Sequence, residues 1–221
     1  MKIVREQPTL TVLLTGFSAF PGARSNPTEA LVSAFHRRRA HFARNGIRLE
    51  ARVLPVVYSV IAPAIAHHVK TVSPDIILHF GLAARRSHIS VETLARNRVN
   101  AIHWDAAGRQ TKSVNVLRGG PSFSRARIAV DEIAAALRRA GFACRLSNDA
   151  GDYLCNAVFY LSLATPHAPF VGFIHVPSLR PLHRRSPGQK RRRLTLPGLL
   201  RAAELTIFVA VKAAWRNRAP P

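Results

Sequence analysis

The chain has 221 residues and a formal net charge of +22, and 48% of its residues are hydrophobic. This length is enough for one sizeable buried core, and no apolar run reaches the roughly 18 residues needed to cross a bilayer, so a membrane-spanning chain is excluded. Cys144 and Cys155 are the two cysteines. Two are too few for a disulfide framework, and their spacing matches no zinc motif.

The N-terminal sequence, MKIVREQPTLTVLLTGF, places an acidic residue and a proline ahead of a short apolar stretch. It has no signal-peptide core followed by a small-residue cleavage site, so we expect a cytoplasmic protein. Residues 11–17 predict a strand that is buried on both faces. Asn26, Pro27 and Glu29 then match an N-cap, a first helical residue and a capping-box acid, so they predict the start of a helix.

The middle of the chain alternates between predicted strands and helices. We expect a strand over 47–53, a helix over 59–69 that is interrupted or begins near Pro63, and a buried strand over 76–80 that ends at Gly81. Residues 90–110 are polar and irregular. They predict a long excursion without regular structure, which a compact domain rarely keeps without a purpose.

The second half continues the alternation. An amphipathic pattern predicts a helix over 124–140 with Gly141 as its stop. We expect the following elements to be a short strand over 142–146, a helix that begins near Cys155, a strand over 170–176 and a final helix over 199–215. Strands that alternate with helices, without a linker, predict one α/β domain over residues 1–221 with a sheet covered on both faces.

The positive charge needs an interpretation of its own, because such an excess is typical of proteins that bind nucleic acid or an anionic surface. Most of the arginines are scattered, with clusters at 36–39 and 183–193, and aromatic residues for base stacking make up only 7% of the chain. We therefore interpret the charge as solvated helix faces and a basic, mobile loop over 181–193. A dedicated nucleic-acid groove is the less favoured interpretation.

Cys155 is the first candidate for a catalytic residue. It lies in the segment DAGDYLCNAVFY, where Ala150 and Gly151 supply a turn, Asp152 supplies a cap and apolar residues anchor a helix. A thiol at a helix N-terminus has a pKa lowered toward neutrality, which favours the nucleophilic thiolate. The alternative is a buried structural cysteine, and that interpretation suits Cys144 better because Cys144 lies within a predicted strand.

A nucleophilic thiol needs a base and a group that orients the base. His175 follows the apolar strand segment GFI, and His79 lies in the similar segment IILHF, so position alone does not separate the two. Glu92, in SHISVETLARN, is a candidate for the orienting acid. Its spacing is equally compatible with a salt bridge to Arg96 or Arg98.

Several of these residues stand at the ends of predicted elements. Predicted strands end at Phe17, Gly81 and His175, and a predicted helix begins near Cys155. Functional sites in α/β proteins gather at the carboxyl ends of strands and at helix N-termini. We therefore expect these residues to share one edge of the sheet.

Five blocks of the sequence resemble the pyroglutamyl peptidase I (pyrrolidone-carboxylate peptidase) family of cysteine peptidases. In order they are LLTGFSAFPG with SNPTEA, PDIILHFGLA, VETLARN, AGDYLCNAVFY and GFIHVP, and together they cover residues 13–177. The resemblance implies a single-domain, three-layer α/β/α sandwich around a mixed, largely parallel sheet. It also implies a hydrolase that removes N-terminal pyroglutamate from peptides without a metal or other cofactor, commonly as a homotetramer.

The resemblance also implies residue roles. The nucleophile of the family corresponds to Cys155, the base to His175 and the third member of the triad to Glu92, which separates His175 from His79. The thiolate then attacks the pyroglutamyl carbonyl to form an acyl-enzyme, and the imidazole protonates the leaving amine and later activates water. Backbone N–H groups at the start of the cysteine helix are candidates for the oxyanion hole.

The residues around the implied substrate pocket depart from the family pattern more than the triad residues do. Two phenylalanines that flank the lactam ring correspond to Phe17 and Phe20, and Asn26 corresponds to an asparagine near that pocket. The family pattern GFxPFGG reads GFSAFPG here, and GQAGGR reads GLAARR, with Ala84 and Arg85 in place of glycines. If those glycines need a positive φ angle, the two substitutions reshape the turn beside the substrate.

Three functions are compatible with these observations. The leading hypothesis is an exopeptidase specific for N-terminal pyroglutamate. The second keeps the triad but changes the acyl group, because the turn is altered. The third is a catalytically idle relative that binds RNA or acidic partners through residues 184–193, against which the retention of all three triad residues argues.

Overall fold

The computed structural model describes residues 9–166, 169–179 and 194–218, and the basic segment 181–193 lies outside the described residues. Within these ranges the helices and strands are, in chain order, β1 Leu10–Phe17, α1 Pro27–Arg37, α2 Arg39–Ala43, β2 Ile47–Leu54, α3 Tyr58–Val72, β3 Ile76–Leu82, β4 Ile89–Glu92, β5 Leu94–Arg96, β6 Phe123–Arg125, α4 Val130–Arg139, β7 Cys144–Ser147, α5 Leu154–Ala164, β8 Phe170–Val176 and α6 Leu196–Arg218.

Six of the strands form one mixed sheet in the order β2-β1-β3-β8-β4-β7. The neighbours among β2, β1, β3 and β8 pair in parallel, β4 runs antiparallel to β8, and β7 is parallel to β4. The remaining strands, β5 and β6, form a separate antiparallel pair. The expectation of a mixed, largely parallel sheet is therefore confirmed.

Helices cover both faces of the sheet and create two cores. Alternate residues of β1 separate these cores, because Val12 and Leu14 pack with residues of α1, α2, α4 and α6, whereas Leu13 and Phe17 pack with residues of α3 and α5. This is the division expected for a central strand such as β1, which is buried on both faces. The three-layer α/β/α architecture is confirmed. No helix of the described residues has the length and apolarity to cross a membrane.

The elements of the first half agree with their sequence signals. Asn26 caps α1, because its side-chain oxygen accepts a hydrogen bond from the Thr28 amide, and Pro27 occupies the first helical position. Pro63 neither interrupts nor begins α3, which runs continuously from Tyr58. A proline near the start of a helix removes few internal hydrogen bonds, so the neighbouring turns hold it.

The expectation of an irregular excursion over residues 90–110 is wrong at its start. The segment Ile89–Glu92 is an interior strand of the main sheet, and Leu94–Arg96 is a second short strand. Polar side chains at Ser90 and Glu92 obscured the first strand, although both are buried. The polarity of Glu92 reflects the site described below, where its carboxylate contacts His175.

Two further boundaries differ from expectation. Helix α4 begins at Val130 instead of 124, because residues Phe123–Arg125 form β6 and pair with β5. Helix α5 has Tyr153 as its N-cap without a side-chain cap, so the prediction that Asp152 caps it is wrong. The uncapped start leaves the first backbone N–H groups of α5 available to a ligand.

Candidate active site

A cavity of about 280 Å³ lies where β1, β3 and β8 end and α5 begins. It is lined by Phe17, Phe20, Asn26, Val56, Leu82, Ala83, Arg86, Ala150, Gly151, Asp152, Tyr153, Leu154, Cys155 and His175. No group of three or more His, Cys, Asp or Glu side chains is arranged to bind a metal ion within the described ranges. The lining residues show that the walls of the cavity are mainly aromatic and aliphatic, with a small set of polar groups.

Cys155 is the second residue of α5 and lines this cavity. The chain enters the helix after Gly151, whose φ of 82° is the left-handed conformation that glycine adopts without strain. The sulfur of Cys155 lies directly over β3, because a Cβ atom added at Gly81 would be 2.9 Å from Cys155 Sγ. Gly81 is also the register partner of His175 in the parallel β3–β8 pair, so the thiol and the imidazole converge on the same point of the sheet.

His175 is buried on β8, and its side chain is fixed by a carboxylate. Its Nδ1 atom lies 2.8 Å from Oε1 of Glu92, which is itself completely buried on β4. Because an ionised carboxylate only accepts hydrogen bonds, Nδ1 is the donor and Nε2 remains as an acceptor for a proton. The antiparallel pairing of β4 with β8 creates this contact, since Ser90 stands opposite His175 and Glu92 is two residues further on.

Arg86 completes the charge arrangement, and the sequence analysis did not identify it. Its Nη1 atom donates to the same Oε1 of Glu92 at 2.6 Å, and its Nη2 atom donates to the Asp149 carbonyl at 2.6 Å. The expected alternative, a salt bridge from Glu92 to Arg96 or Arg98, is not what the structure shows. One sequence signal could have identified it: Arg86 comes shortly after the strand that ends at Gly81, and functional residues are expected at that end of the strand.

Asn156 is a second residue that the sequence analysis left without a role. Its side chain accepts from the Arg96 amide at 2.8 Å and donates to the Arg96 and Arg98 carbonyls at 2.8 and 2.9 Å. A buried amide with all these partners satisfied is a rigid connection. Asn156 therefore holds the chain after β5 against the start of α5, next to Cys155.

The protonation state of Cys155 differs from expectation. The pKa of the Cys155 thiol is raised to about 12, because burial and, to a lesser degree, the charge of Glu92 raise it more than Arg86 and the backbone amide of Cys155 lower it. The helix N-terminus is therefore not sufficient to make a thiolate in the free protein. A thiolate at Cys155 requires a neighbouring base that takes the thiol proton.

The two rival residues lie outside the cavity lining. His79 is fully buried, its Nδ1 atom lies 2.6 Å from Thr15 Oγ1 and its Nε2 atom lies 2.9 Å from Ser162 Oγ. Burial lowers the pKa of His79 to about 3, so the ring is neutral. Cys144 is buried at the start of β7, and burial raises its pKa to about 11. Both side chains belong to the core.

The three residues expected in a substrate pocket all line the cavity. Phe17 ends β1 and is buried, whereas Phe20, three residues later, is partly exposed. The side-chain oxygen of Asn26 accepts hydrogen bonds from the Thr28 amide and hydroxyl, and its nitrogen donates to the Ser18 carbonyl. Asn26 therefore shapes the wall through the α1 cap.

The altered turn after β3 is tolerated without backbone strain. Ser73 is the single non-glycine residue with a positive φ among the described residues, so Ala84 and Arg85 have ordinary φ angles. The turn is closed by a hydrogen bond from the Arg86 amide to the Ala83 carbonyl. Ala84 and Arg85 therefore fit this turn without the left-handed backbone conformation that favours glycine.

Comparison with known proteins identifies the family of the chain. The family model described as pyroglutamyl peptidase matches residues 10–213. The chain belongs to the pyroglutamyl peptidase family. A pyrrolidone-carboxylate peptidase of Pyrococcus furiosus is 36% identical over 172 residues, which are 76% of this chain and 81% of that protein. One from Halalkalibacterium halodurans is 32% identical over 203 residues, 88% of this chain and 98% of that protein.

Solved structures of the family have the same fold. The pyrrolidone carboxyl peptidase from Thermococcus litoralis superimposes with a TM-score of 0.83 at 28% identity, and the match covers 96% of this chain and 99% of that chain. A mutant pyrrolidone carboxyl peptidase of Pyrococcus furiosus gives a TM-score of 0.81 at 32% identity, with 92% and 99% of the two chains covered. The fold and family that the resemblance implied are confirmed.

Proposed function

We propose that this member of the pyroglutamyl peptidase family is a cysteine exopeptidase that hydrolyses the bond after an N-terminal pyroglutamyl residue of a peptide. The single observation that carries the proposal is the imidazole–carboxylate pair, His175 with Glu92, in the same cavity as a cysteine at a helix N-terminus. A nucleophile, a base and a group that orients the base are the parts that acyl transfer through a thiol requires.

The mechanism follows from the protonation states. Nε2 of His175 takes the proton of the neutral Cys155 thiol, and the sulfur attacks the pyroglutamyl carbonyl carbon. Glu92 keeps the proton of Nδ1 in place and stabilises the imidazolium ion that forms. The imidazolium then protonates the leaving amine, which leaves a thioester on Cys155. A water molecule that gives its proton to Nε2 hydrolyses the thioester and releases pyroglutamate.

The acyl pocket and the oxyanion site are assigned to the walls of the cavity. The lactam ring is uncharged, so it suits the space between Phe17 and Phe20, with Asn26 shaping the wall. The developing oxyanion is stabilised by backbone N–H groups at the start of α5, including that of Cys155, because no side chain caps this helix. No cofactor or metal takes part in this mechanism.

The decisive experiment measures release of a fluorescent amine from its pyroglutamyl amide. We expect activity in the wild-type protein and a loss of about 10⁴-fold or more in Cys155→Ser, because the nucleophile is removed. Cys144→Ser is the matched control and keeps most of the activity, since Cys144 lies outside the cavity. EDTA leaves the rate unchanged. An active Cys155→Ser variant, or an inactive wild-type protein, contradicts the proposal.

A second candidate is an amide hydrolase of altered acyl specificity. Leu82 and Ala83 line the cavity where the turn after β3 reads GLAARR, so this wall offers apolar side chains. The same assay with alanyl, prolyl and acetyl amides separates the two candidates. Cleavage of one of these amides, but not of the pyroglutamyl amide, favours the second.

The proposal also covers the compartment of the protein and its oligomeric state, and its net charge suggests an alternative. We propose a single-domain cytoplasmic enzyme that assembles as a homotetramer, which light scattering on the purified protein tests. The alternative function is that of a catalytically idle relative that binds RNA or acidic partners. A mobility shift that weakens steeply with salt, in a protein without peptidase activity, favours that alternative.

A further inference from the structure

A second cavity of about 390 Å³ lies beside the active-site cavity. It is lined by Phe20, Pro21, Ile102, His103, Trp104 and Tyr153, and we call it the aromatic groove. None of these residues belongs to the triad. Three of the six side chains belong to phenylalanine, tryptophan or tyrosine, which is a composition typical of sites that bind apolar groups.

The aromatic groove is continuous with the active-site cavity. Phe20 and Tyr153 line both, and their ring centroids lie 6.0 Å apart. Tyr153 is the N-cap of α5, so it stands two residues before Cys155. A peptide whose first residue is held at Cys155 therefore reaches the groove with the residues that follow the scissile bond.

The loop that forms the far wall of the groove is held in place by its backbone. The Tyr153 hydroxyl donates to the Trp104 carbonyl at 2.8 Å, and the Gln110 side chain donates to the Ile102 carbonyl at 2.8 Å. The Asn100 amide donates to the Asp152 carbonyl at 2.7 Å. The bonds from Tyr153 and to Asp152 connect the loop to the segment that immediately precedes α5, and the bond from Gln110 holds the loop to itself, so the groove is fixed relative to the start of α5.

The side chains of this fixed loop are nevertheless exposed. Ile102 has 74% of its surface accessible to solvent and Trp104 has 57%. A loop that is tied by its carbonyls has no need of exposed apolar side chains for its own stability, and contiguous exposed apolar groups mark binding sites. His103 adds a ring that meets Tyr153 edge-on at 5.7 Å between centroids.

We propose that the aromatic groove is a leaving-side subsite, which binds an aromatic or large aliphatic side chain of the first residue after the pyroglutamyl group. Trp104 and Ile102 are the specificity-determining residues of this subsite. The inference rests on the proposed function, because a leaving peptide exists only if the bond at Cys155 is cleaved. It defines the substrate class as pyroglutamyl peptides that continue with an apolar side chain.

The experiment compares kcat/KM for two peptides that differ only after the pyroglutamyl residue, pyroglutamyl-Phe-Ala and pyroglutamyl-Ala-Ala. We expect the wild-type protein to prefer the phenylalanine peptide about 10-fold, the effect of partly burying one phenyl side chain. Trp104→Ala should remove most of this preference. Ile102→Ser should reduce it less, because its side chain is smaller. Phe123→Ala is the matched control, since Phe123 is an exposed aromatic residue that lines neither cavity.

The possible outcomes separate the subsite from the reaction. If the wild-type protein cleaves both peptides and Trp104→Ala leaves the ratio unchanged, the subsite is wrong and the proposed function stands. If neither peptide is cleaved, and calorimetry with Cys155→Ser detects no binding of either, both proposals are wrong. If Trp104→Ala leaves the ratio unchanged but lowers the oligomeric mass, the groove is a subunit contact, and the subsite is overturned.

Discussion

Two places along the β3–β8 pair contain a histidine on the same face of the sheet, and their environments differ. In the middle of the pair, His79 lies between the hydroxyls of Thr15 and Ser162, and burial holds its pKa near 3. At the carboxyl end, His175 lies against Glu92 and lines the cavity. The two rings are therefore chemically different, although both follow apolar residues in a buried strand.

The difference shows that position along the strand, and not residue type, decides what a buried histidine does. In the middle of the pair the body of α5 covers the sheet, so a polar side chain there has to be satisfied by neutral partners. At the end of the strands α5 begins and the sheet opens into a cavity. There the imidazole meets both a carboxylate and a space for substrate, which is the general location of sites in α/β proteins.

The largest expected effect tests the histidine at the carboxyl end of the β3–β8 pair. Glu92→Gln should lower kcat for a pyroglutamyl amide by about 10²- to 10⁴-fold, because the amide NH₂ can donate to Nδ1 and select the wrong tautomer, and because a neutral amide does not stabilise the imidazolium ion. The measurement is the pH profile of kcat. Glu132→Gln is the control, since Glu132 pairs with Arg216 at the surface. Near-normal activity of Glu92→Gln would show that His175 needs no orienting carboxylate.

The next effect tests the close approach of α5 to β3. Gly81→Ala should lower kcat by about 10²-fold, because its Cβ atom would come within 2.9 Å of Cys155 Sγ and 2.7 Å of Phe173 Cζ. Gly198→Ala is the control, since its nearest contacts are 3.3 Å to side-chain atoms. Steady-state kinetics with a folding check by circular dichroism measures both. An unchanged kcat in folded Gly81→Ala would contradict the placement of the thiol.

A smaller effect tests the protonation of the nucleophile. The raised pKa of Cys155 predicts that alkylation of the free protein by iodoacetamide keeps accelerating above pH 9, because the thiolate fraction keeps growing. The rate is followed by mass spectrometry of the peptide that contains Cys155, in the presence and absence of substrate. A plateau below pH 8 would instead show a thiolate–imidazolium pair in the free protein.

The smallest effect tests the middle of the strand pair. The pKa of His79 is about 3 in the folded protein and near 6.5 in the unfolded chain, so the unfolded state binds more protons between these values. Stability is therefore lost as the pH falls below 6.5. Between pH 7 and pH 5 the wild-type protein should lose about 2 kcal/mol more than His79→Gln, measured by urea unfolding. Equal losses would contradict the neutral, buried ring.

The strongly apolar elements could be predicted from the sequence. The strands that end at Phe17 and begin at Ile76, and the start of α1 at Asn26, follow from hydrophobic runs and cap residues that act locally. Strand β4 could not be predicted in this way. Its buried residues Ser90 and Glu92 interrupt the hydrophobic pattern, and Glu92 does so because its carboxylate contacts His175 at the site.

The sequence by itself determined the family blocks, the alternation of strands and helices, and the presence of a cysteine at the start of a helix. Only the tertiary structure decided that Glu92 contacts both His175 and Arg86, that His79 belongs to the core, and that burial raises the pKa of the Cys155 thiol. The physical reason is the separation along the chain over which each kind of interaction acts. Strand and cap propensities depend on neighbouring residues, whereas hydrogen bonding, burial and charge depend on residues that pairing of distant strands brings together.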